Sequence, residues 1–184
     1  MKSLSKLIQL LSICSLLISW QNVYAQLDAT EQAMVSFIDA TNAEAEDLLI
    51  ESININSGTM NFAGVRAVGE HLAPHFQAIG FDTQFIDGAA WGRAGHLVAE
   101  HHPSIETDGP KLLLIGHLDT VFEPSSPFQS FERIDTEIAR GPGISDMKGG
   151  NVIMLQALRA LDEVGLLADM DITVVFTGDE EFSG

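Results

Sequence analysis

The segment ITVVFTGDEE, residues 172–181, joins a run of apolar residues to three consecutive acids. Residues 172–176 are apolar and β-branched with few interruptions, which is typical of a strand buried on both faces of a parallel sheet. The acids at 179–181 follow that strand directly. Because sites in open α/β sheets form beyond the carboxyl ends of strands, this segment predicts a sheet with functional carboxylates at its edge.

The rest of the chain alternates between helical and extended patterns. Apolar residues recur at helical spacing over three segments, of which the first contains a polar interruption and the second a proline. The three helices are therefore predicted at residues 29–53 with a break near Asn42, from Phe62 to Gly80 with a kink at Pro74, and from Gly149 to Val164.

Short extended segments lie between these helices. Strands are predicted at residues 82–86, 96–101, 111–115 and 172–176, with extended chain at 131–139. Strand–helix–strand order favours an α/β fold with a mostly parallel sheet flanked by helices. The 184 residues suit one domain, and no internal repeat or domain boundary interrupts them.

The amino end has the pattern of a cleaved secretory signal. Lys2 and Lys6 precede an apolar stretch at residues 7–20, and small residues at 23 and 25 fit a cleavage site. That stretch has 14 residues, fewer than the roughly 20 that span a bilayer, which argues against a stable membrane anchor. Residues 1–25 are therefore predicted to be a signal peptide that exports the protein to the periplasm or the extracellular space.

Charge and cysteine content exclude several functions for the mature chain, residues 26–184. Removing the signal takes Lys2 and Lys6, so 7 basic and 26 acidic residues remain, a balance of 7 − 26 = −19. Such a surface repels a phosphate backbone, so nucleic acid is not expected as a partner. Cys14 is the only cysteine and lies in the signal, so neither disulfides nor thiolate metal ligands are expected.

Two further segments carry the residue types of a metal site. His117 and Asp119 follow the strand at 111–115, and their spacing places both side chains on one side of an extended chain. This arrangement suits a metal-bound imidazole held by a carboxylate. Asp146 lies in the glycine-rich segment 141–150, just before a helix. Histidine and carboxylates without cysteine favour zinc or a similar divalent ion.

Other candidate sites are weaker. His71 and His75 have the four-residue spacing of a helical two-histidine zinc site. The glutamate of that motif would fall at Leu72, however, and Pro74 interrupts the helix, so solvated helix-edge histidines are favoured. Ser145 lies in no Gly-x-Ser-x-Gly elbow, which argues against a serine hydrolase.

Taken together, three motifs resemble the signature segments of a known enzyme family. GHLDT at 116–120, GPGISDMKGG at 141–150 and DEE at 179–181 are similar to segments of two-zinc exopeptidases related to glutamate carboxypeptidase. That family includes acetylornithine deacetylase, succinyl-diaminopimelate desuccinylase, aminoacylase and several dipeptidases. The resemblance covers about residues 43–184 and includes the turn at 56–59.

The resemblance implies a role for each acidic or histidine residue of the motifs, except Asp179. It implies two zinc ions, which cobalt or manganese can replace. The implied roles are a ligand to one zinc for His117, orientation of that histidine for Asp119, a bridge between both zincs for Asp146, general base for Glu180, and a ligand to the second zinc for Glu181.

The resemblance also implies a function. It predicts a metallopeptidase similar to glutamate carboxypeptidase, which hydrolyses an amide bond next to a free carboxylate in a small peptide or N-acyl amino acid. An acyl-amino-acid deacylase or dipeptidase with the same site is an alternative, and a non-catalytic remnant is a second alternative. The family's remaining zinc ligands and its dimerisation domain follow the Asp-Glu-Glu motif, so residues 26–184 are predicted to be the front part of a catalytic domain. The chain alone is then expected to be inactive, and a homodimer is expected only of a full-length form.

Overall fold

The computed structural model describes residues 26–103, 105 and 109–182. The predicted signal peptide, residues 1–25, lies outside the described residues and stays a prediction. Among the residues that are described, no helix has both the length and the apolar character needed to cross a bilayer.

Three helices form near the predicted positions: α1 (Ala29–Asn54), α2 (Phe62–Gln77) and α3 (Gly149–Glu163). A capping box starts α1, because the Asp28 carboxylate accepts the Glu31 N–H and the Glu31 carboxylate accepts the Asp28 N–H. The predicted break near Asn42 is wrong, since α1 is continuous. Asparagine in a helix interior costs only a few tenths of a kcal/mol, and the segment contains neither glycine nor proline.

In the part of the chain that the structure describes, six strands form two sheets. Four strands build the main sheet in the order β1-β2-β6-β3, and two short strands pair as a separate hairpin over part of the region predicted to be extended. The strands are β1 (Asp82–Asp87), β2 (Gly95–His101), β3 (Lys111–His117), β4 (Glu132–Arg133), β5 (Ala139–Arg140) and β6 (Asp171–Thr177).

The α/β class is confirmed, but the main sheet is mixed rather than mostly parallel. Only β3 and β6 pair in parallel, while β2 runs antiparallel to both β1 and β6. The seven residues 88–94 that link β1 to β2 are too few for a parallel crossover, which needs a dozen or more. The strand–helix–strand pattern therefore predicts the direction of β3 and β6 correctly and does not apply to β1 and β2.

The helices pack on this sheet around one apolar core. Helix α2 contacts β1 and β2, and α3 contacts both β3 and α1. Phe76 of α2 makes edge-to-face contacts with Phe81 and with Phe176 of β6, and all three side chains are buried. At the other end of the described sheet β3 is an edge strand, where Leu113 is 60% exposed and Ile115 63% exposed.

Among the described residues, one lysine is buried against the end of α1. Lys148 is 1% exposed, and its ammonium donates to the carbonyl oxygens of Ser52 at 2.8 Å and Ile55 at 2.9 Å. These carbonyls lie at the carboxyl end of α1, where helices carry partial negative charge. Desolvation by burial lowers the pKa of Lys148 to about 8. The lysine therefore ties the segment that carries Asp146 to the end of α1.

The pKa of Lys148 predicts a pH dependence of stability. Because its pKa in the folded state, about 8, lies below the ordinary 10.5, the unfolded chain binds more protons between these values. Lys148 should thus raise the free energy of unfolding as pH increases from 8 to 10.5, by up to about 1.4 kcal/mol per pH unit. Urea unfolding at several pH values should show a smaller rise in Lys148→Met.

The matched control for this measurement is Lys111→Met, which replaces an exposed lysine whose side chain is 83% exposed. Lys111→Met should retain most of the wild-type pH dependence. Groups other than Lys148 titrate in wild type and variant alike, so the difference between the two curves isolates Lys148. Identical pH dependence in wild type and Lys148→Met would contradict the prediction.

Candidate metal centre

Parallel pairing brings the ends of two strands to the same edge of the sheet. His117, the last residue of β3, lies opposite Thr177, the last residue of β6. A short irregular helical turn, Ile144–Lys148, precedes α3 and carries Asp146 to the same place. The residues that follow β3 and β6 therefore start side by side, and the loop before α3 closes over them.

Glycines permit two close approaches around this edge. Gly143 has φ +73°, and a Cβ there would lie 2.6 Å from Cγ2 of Thr120. A Cβ on Gly116 would lie 2.4 Å from Oδ1 of Asn151 in α3. Glycine at 116 thus lets Asn151 reach the strand end, where its amide donates to the carbonyl oxygen of His117 at 2.6 Å.

His117 and Asp146 lie in ligand geometry. The distance between Nε2 of His117 and Oδ1 of Asp146 is 3.0 Å. Two ligands of one tetrahedral zinc, each about 2.0–2.1 Å from the ion, lie about 3.3 Å apart. On the other side of the ring, Nδ1 of His117 is 3.1 Å from the carbonyl oxygen of Asp119 and 3.4 Å from its Oδ1. Asp119 thus fixes the ring through Nδ1 while Nε2 points at Asp146. The pair of His117 and Asp146 fits a metal ion.

Neighbouring carboxylates change the protonation of His117. Burial alone would lower its pKa, but hydrogen bonds to Asp119 and Asp146 outweigh burial and raise the pKa to about 9. His117 is therefore a cation at neutral pH in the metal-free chain. A metal ion that binds Nε2 must displace this proton.

Asp119 is the most enclosed group of the site, with 0% exposure. Its Oδ2 accepts the hydroxyl of Thr59 at 2.6 Å and the N–H of Glu181 at 3.0 Å, and its Oδ1 accepts the N–H of Glu180 at 3.2 Å. Burial raises the pKa of Asp119, but its hydrogen bonds, that of His117 foremost, outweigh burial and lower the pKa. Asp119 is thus a buried carboxylate with enough donors to stay ionised.

The two glutamates reach the same histidine. His117, Glu180 and Glu181 each offer a ligand atom, and these atoms lie within 4.8 Å of one another. Glu180 is exposed and Glu181 is partly buried. Burial raises the pKa of Glu181, and so does the nearby charge of Asp146. This crowding of negative charge is what a divalent cation would relieve.

All five predicted site residues therefore meet at one edge of the sheet. The distances alone do not separate the base from the ligand among the two glutamates, so the assigned roles stay predictions. His71 and His75 lie elsewhere, on α2, where Nε2 of His71 is 3.6 Å from Glu51. The turn at 56–59 is recognisable in the sequence, but the contact of Thr59 with Asp119 is not, because no spacing rule links residues 60 positions apart.

A cavity of about 540 Å³ opens beside the centre. Asp146 and Glu181 form part of its wall, and the remaining wall is largely apolar, with Phe122 packed edge-to-face on Phe128. Within the described residues, an apolar groove of about 420 Å³ also lies between α1 and α3, away from these acids. Of these two cavities, the larger is the one that borders Asp146 and Glu181.

The environment of His117 predicts an unusual titration. In the metal-free chain its ring should titrate near pH 9, and Asp146→Asn should lower this midpoint because a hydrogen-bonding carboxylate is lost. NMR of the imidazole signals over pH 5–10 measures both values, with His117→Asn to assign the resonance. A midpoint near the ordinary 6.5 in wild type would contradict the geometry.

Known proteins resemble this chain in sequence and in structure. Residues 113–184 match the model of peptidase family M20/M25/M40. Carboxypeptidase G2 of Pseudomonas sp. (strain RS-16) is 35% identical over 130 residues, which cover 70% of this chain and 30% of that protein. The chain thus spans about 30% of the length of this curated relative.

Solved structures share the fold. The di-peptidase Dug1p of Saccharomyces cerevisiae superposes with a TM-score of 0.67 at 16% identity, covering 81% of this chain and 34% of that one. A tripeptidase of Staphylococcus aureus superposes with a TM-score of 0.57 at 26% identity, covering 74% of this chain and 36% of that one. The resemblance of the three motifs is therefore confirmed, and the chain is identified as a relative of peptidase family M20/M25/M40 that spans only part of the proteins it matches.

Proposed function

We propose that this chain is part of a metal-dependent peptidase similar to glutamate carboxypeptidase, which hydrolyses an amide bond next to a free carboxylate. The observation that carries the proposal is that four side chains converge around the buried Asp119. They are the imidazole of His117 and the carboxylates of Asp146, Glu180 and Glu181. The carboxylates of such a cluster repel one another, and a bound cation would relieve this repulsion.

The residues fit a centre with two zinc ions, with cobalt or manganese as substitutes. His117 would hold one ion, Glu181 the other, and Asp146 would bridge them. The 3.0 Å distance of Asp146 from Nε2 of His117 supports a shared ion, and Asp146 and Glu181 line the same cavity. When bound, such metals polarise a carbonyl and lower the pKa of a water molecule.

Glu180 is assigned the proton transfers. It is exposed, and it lies within 4.8 Å of the other ligand atoms, so its carboxylate can accept a proton from the attacking water. The same carboxylate then hands the proton to the departing amine. Asp119 accepts the backbone N–H of Glu180 and so holds the base beside the cavity without contacting the substrate.

The substrate is proposed to be a small peptide or an N-acyl amino acid. The cavity beside Asp146 and Glu181 is bounded by Phe122 and Phe128, so an apolar group can lie next to the reacting amide. A dipeptidase or an acyl-amino-acid deacylase would use the same centre. These alternatives differ from a carboxypeptidase in the groups recognised on either side of the amide bond, and steady-state rates on matched substrates would distinguish them.

The third reading, a chain that binds metal without turnover, applies to these 184 residues alone. Among the described residues the centre contains one histidine, and each metal would have two protein ligands, one of them shared. Catalytic zinc normally has three protein ligands and one open position. The chain alone is also expected to be poorly soluble, because the apolar β3 is an edge strand of the described sheet.

Substitution of each glutamate should separate base from ligand. Glu180→Gln should abolish turnover in a form with a complete metal centre and leave cobalt affinity of the present chain within about twofold. Glu181→Gln should weaken cobalt binding by about tenfold or more, because a neutral amide is a poorer ligand than a carboxylate. Calorimetric titration and kinetics measure these effects, and the two variants control for each other. The opposite pattern would exchange the two roles.

The 184-residue chain itself should bind zinc weakly, at less than one ion per chain, and should not hydrolyse amides. Metal analysis after gel filtration measures the zinc, and a peptide with a carboxyl-terminal glutamate tests hydrolysis. Zinc-dependent turnover that persists through purification and disappears in Glu180→Gln would show that the described residues suffice for catalysis.

A further inference from the structure

Thr59 makes a short contact with the centre. It lies in the link between α1 and α2, is 2% exposed, and donates its hydroxyl to Oδ2 of Asp119 at 2.6 Å. Hydrogen bonds of 2.5–2.7 Å from a hydroxyl to an ionised carboxylate are of the strong, charge-assisted kind. The two backbone donors to the same carboxylate, at 3.0 and 3.2 Å, are longer.

The backbone fixes the position of this hydroxyl. The Thr59 N–H donates to the carbonyl oxygen of Thr120 at 3.1 Å, and the Thr120 N–H donates to the carbonyl oxygen of Ser57 at 2.8 Å. Gly58 lies opposite Thr120 in this short parallel bridge. These backbone hydrogen bonds hold Thr59 beside Thr120, the residue that follows Asp119. The Thr59 hydroxyl is therefore held next to the Asp119 carboxylate.

The Asp119 carboxylate transmits this constraint to the metal-ligand segment. Oδ2 is shared between the Thr59 hydroxyl and the Glu181 N–H, while Oδ1 accepts the Glu180 N–H and lies 3.4 Å from Nδ1 of His117. Rotation of the carboxylate would alter all of these contacts at once. A donor that prevents the rotation therefore acts on both strand ends.

We infer that Thr59 is a positioning residue of the centre: its hydroxyl fixes the Asp119 carboxylate and through it holds the Glu180–Glu181 segment against His117. The effect on metal binding rests on the proposed function. The effect on the segment is a property of the metal-free chain and is measured separately. If the Thr59 hydroxyl contributed only a buried hydrogen bond, its removal would lower the stability of the fold without affecting the two glutamates.

The test compares Thr59→Val, which removes the hydroxyl at nearly constant volume, with Thr59→Ser, which keeps it. Thr59→Ala serves if the valine methyl prevents folding. Thr41→Val is the matched control, because the part-buried Thr41 donates to the carbonyl oxygen of Phe37 and accepts from Gln156, neither of which belongs to the centre.

The first readout is amide hydrogen exchange at Glu180 and Glu181 in the metal-free chain, followed by NMR. Thr59→Val should speed exchange at both amides by about tenfold or more relative to core amides, because their acceptor loses its fixed orientation. Thr59→Ser should exchange at nearly the wild-type rate. Unchanged exchange in Thr59→Val, or an equal increase in Thr41→Val, would overturn the inference.

The second readout is the dissociation constant for cobalt(II), measured by its visible absorption. Thr59→Val should bind about 10- to 100-fold more weakly, the usual effect of losing a group that orients a ligand, and Thr59→Ser should restore binding. Equal affinity in wild type and Thr59→Val would overturn the inference. If wild type binds no cobalt while Thr59→Val still speeds exchange, the proposed metal centre fails and the positioning of the segment stands.

Discussion

Parallel pairing of β3 with β6 is the constraint on which the site depends. It places His117 opposite Thr177, so that both strands end at one level and both following segments leave the sheet together. A parallel pair cannot be joined by a hairpin, and the intervening chain must cross the sheet before it returns. Here the crossover ends in α3, whose preceding turn delivers Asp146 to the same edge.

The buried charged side chains of Asp119 and Lys148 stabilise this arrangement. Asp119 would be costly at 0% exposure, but a hydroxyl and two backbone N–H groups donate to it and the His117 ring lies beside it. Lys148 has only two hydrogen-bond acceptors, the carbonyl oxygens at the end of α1, and burial lowers its pKa. The fold thus accepts buried charge where it fixes the segments that carry Asp146, Glu180 and Glu181.

The sequence predicted what local pattern and motif determine. Apolar periodicity located the helices and strands, and the three motifs identified the residues that meet at the sheet edge. Strand direction was only half predictable, because the short link at 88–94 and the pairing of β2 with β6 decide it. The contact of Thr59 with Asp119 spans 60 residues, and the burial of Lys148 depends on α1, so neither leaves a local signal.

The charge of His117 explains how so many acids can gather in the metal-free chain. An imidazolium with a pKa of about 9 lies between Asp119 and Asp146, and it supplies at neutral pH the positive charge that these carboxylates require. His117 therefore offsets the negative charge of these two carboxylates in the metal-free chain. A metal ion that bound His117 would have to replace this proton, so Asp119 and Asp146, which orient the ring, would also make proton and metal compete for it.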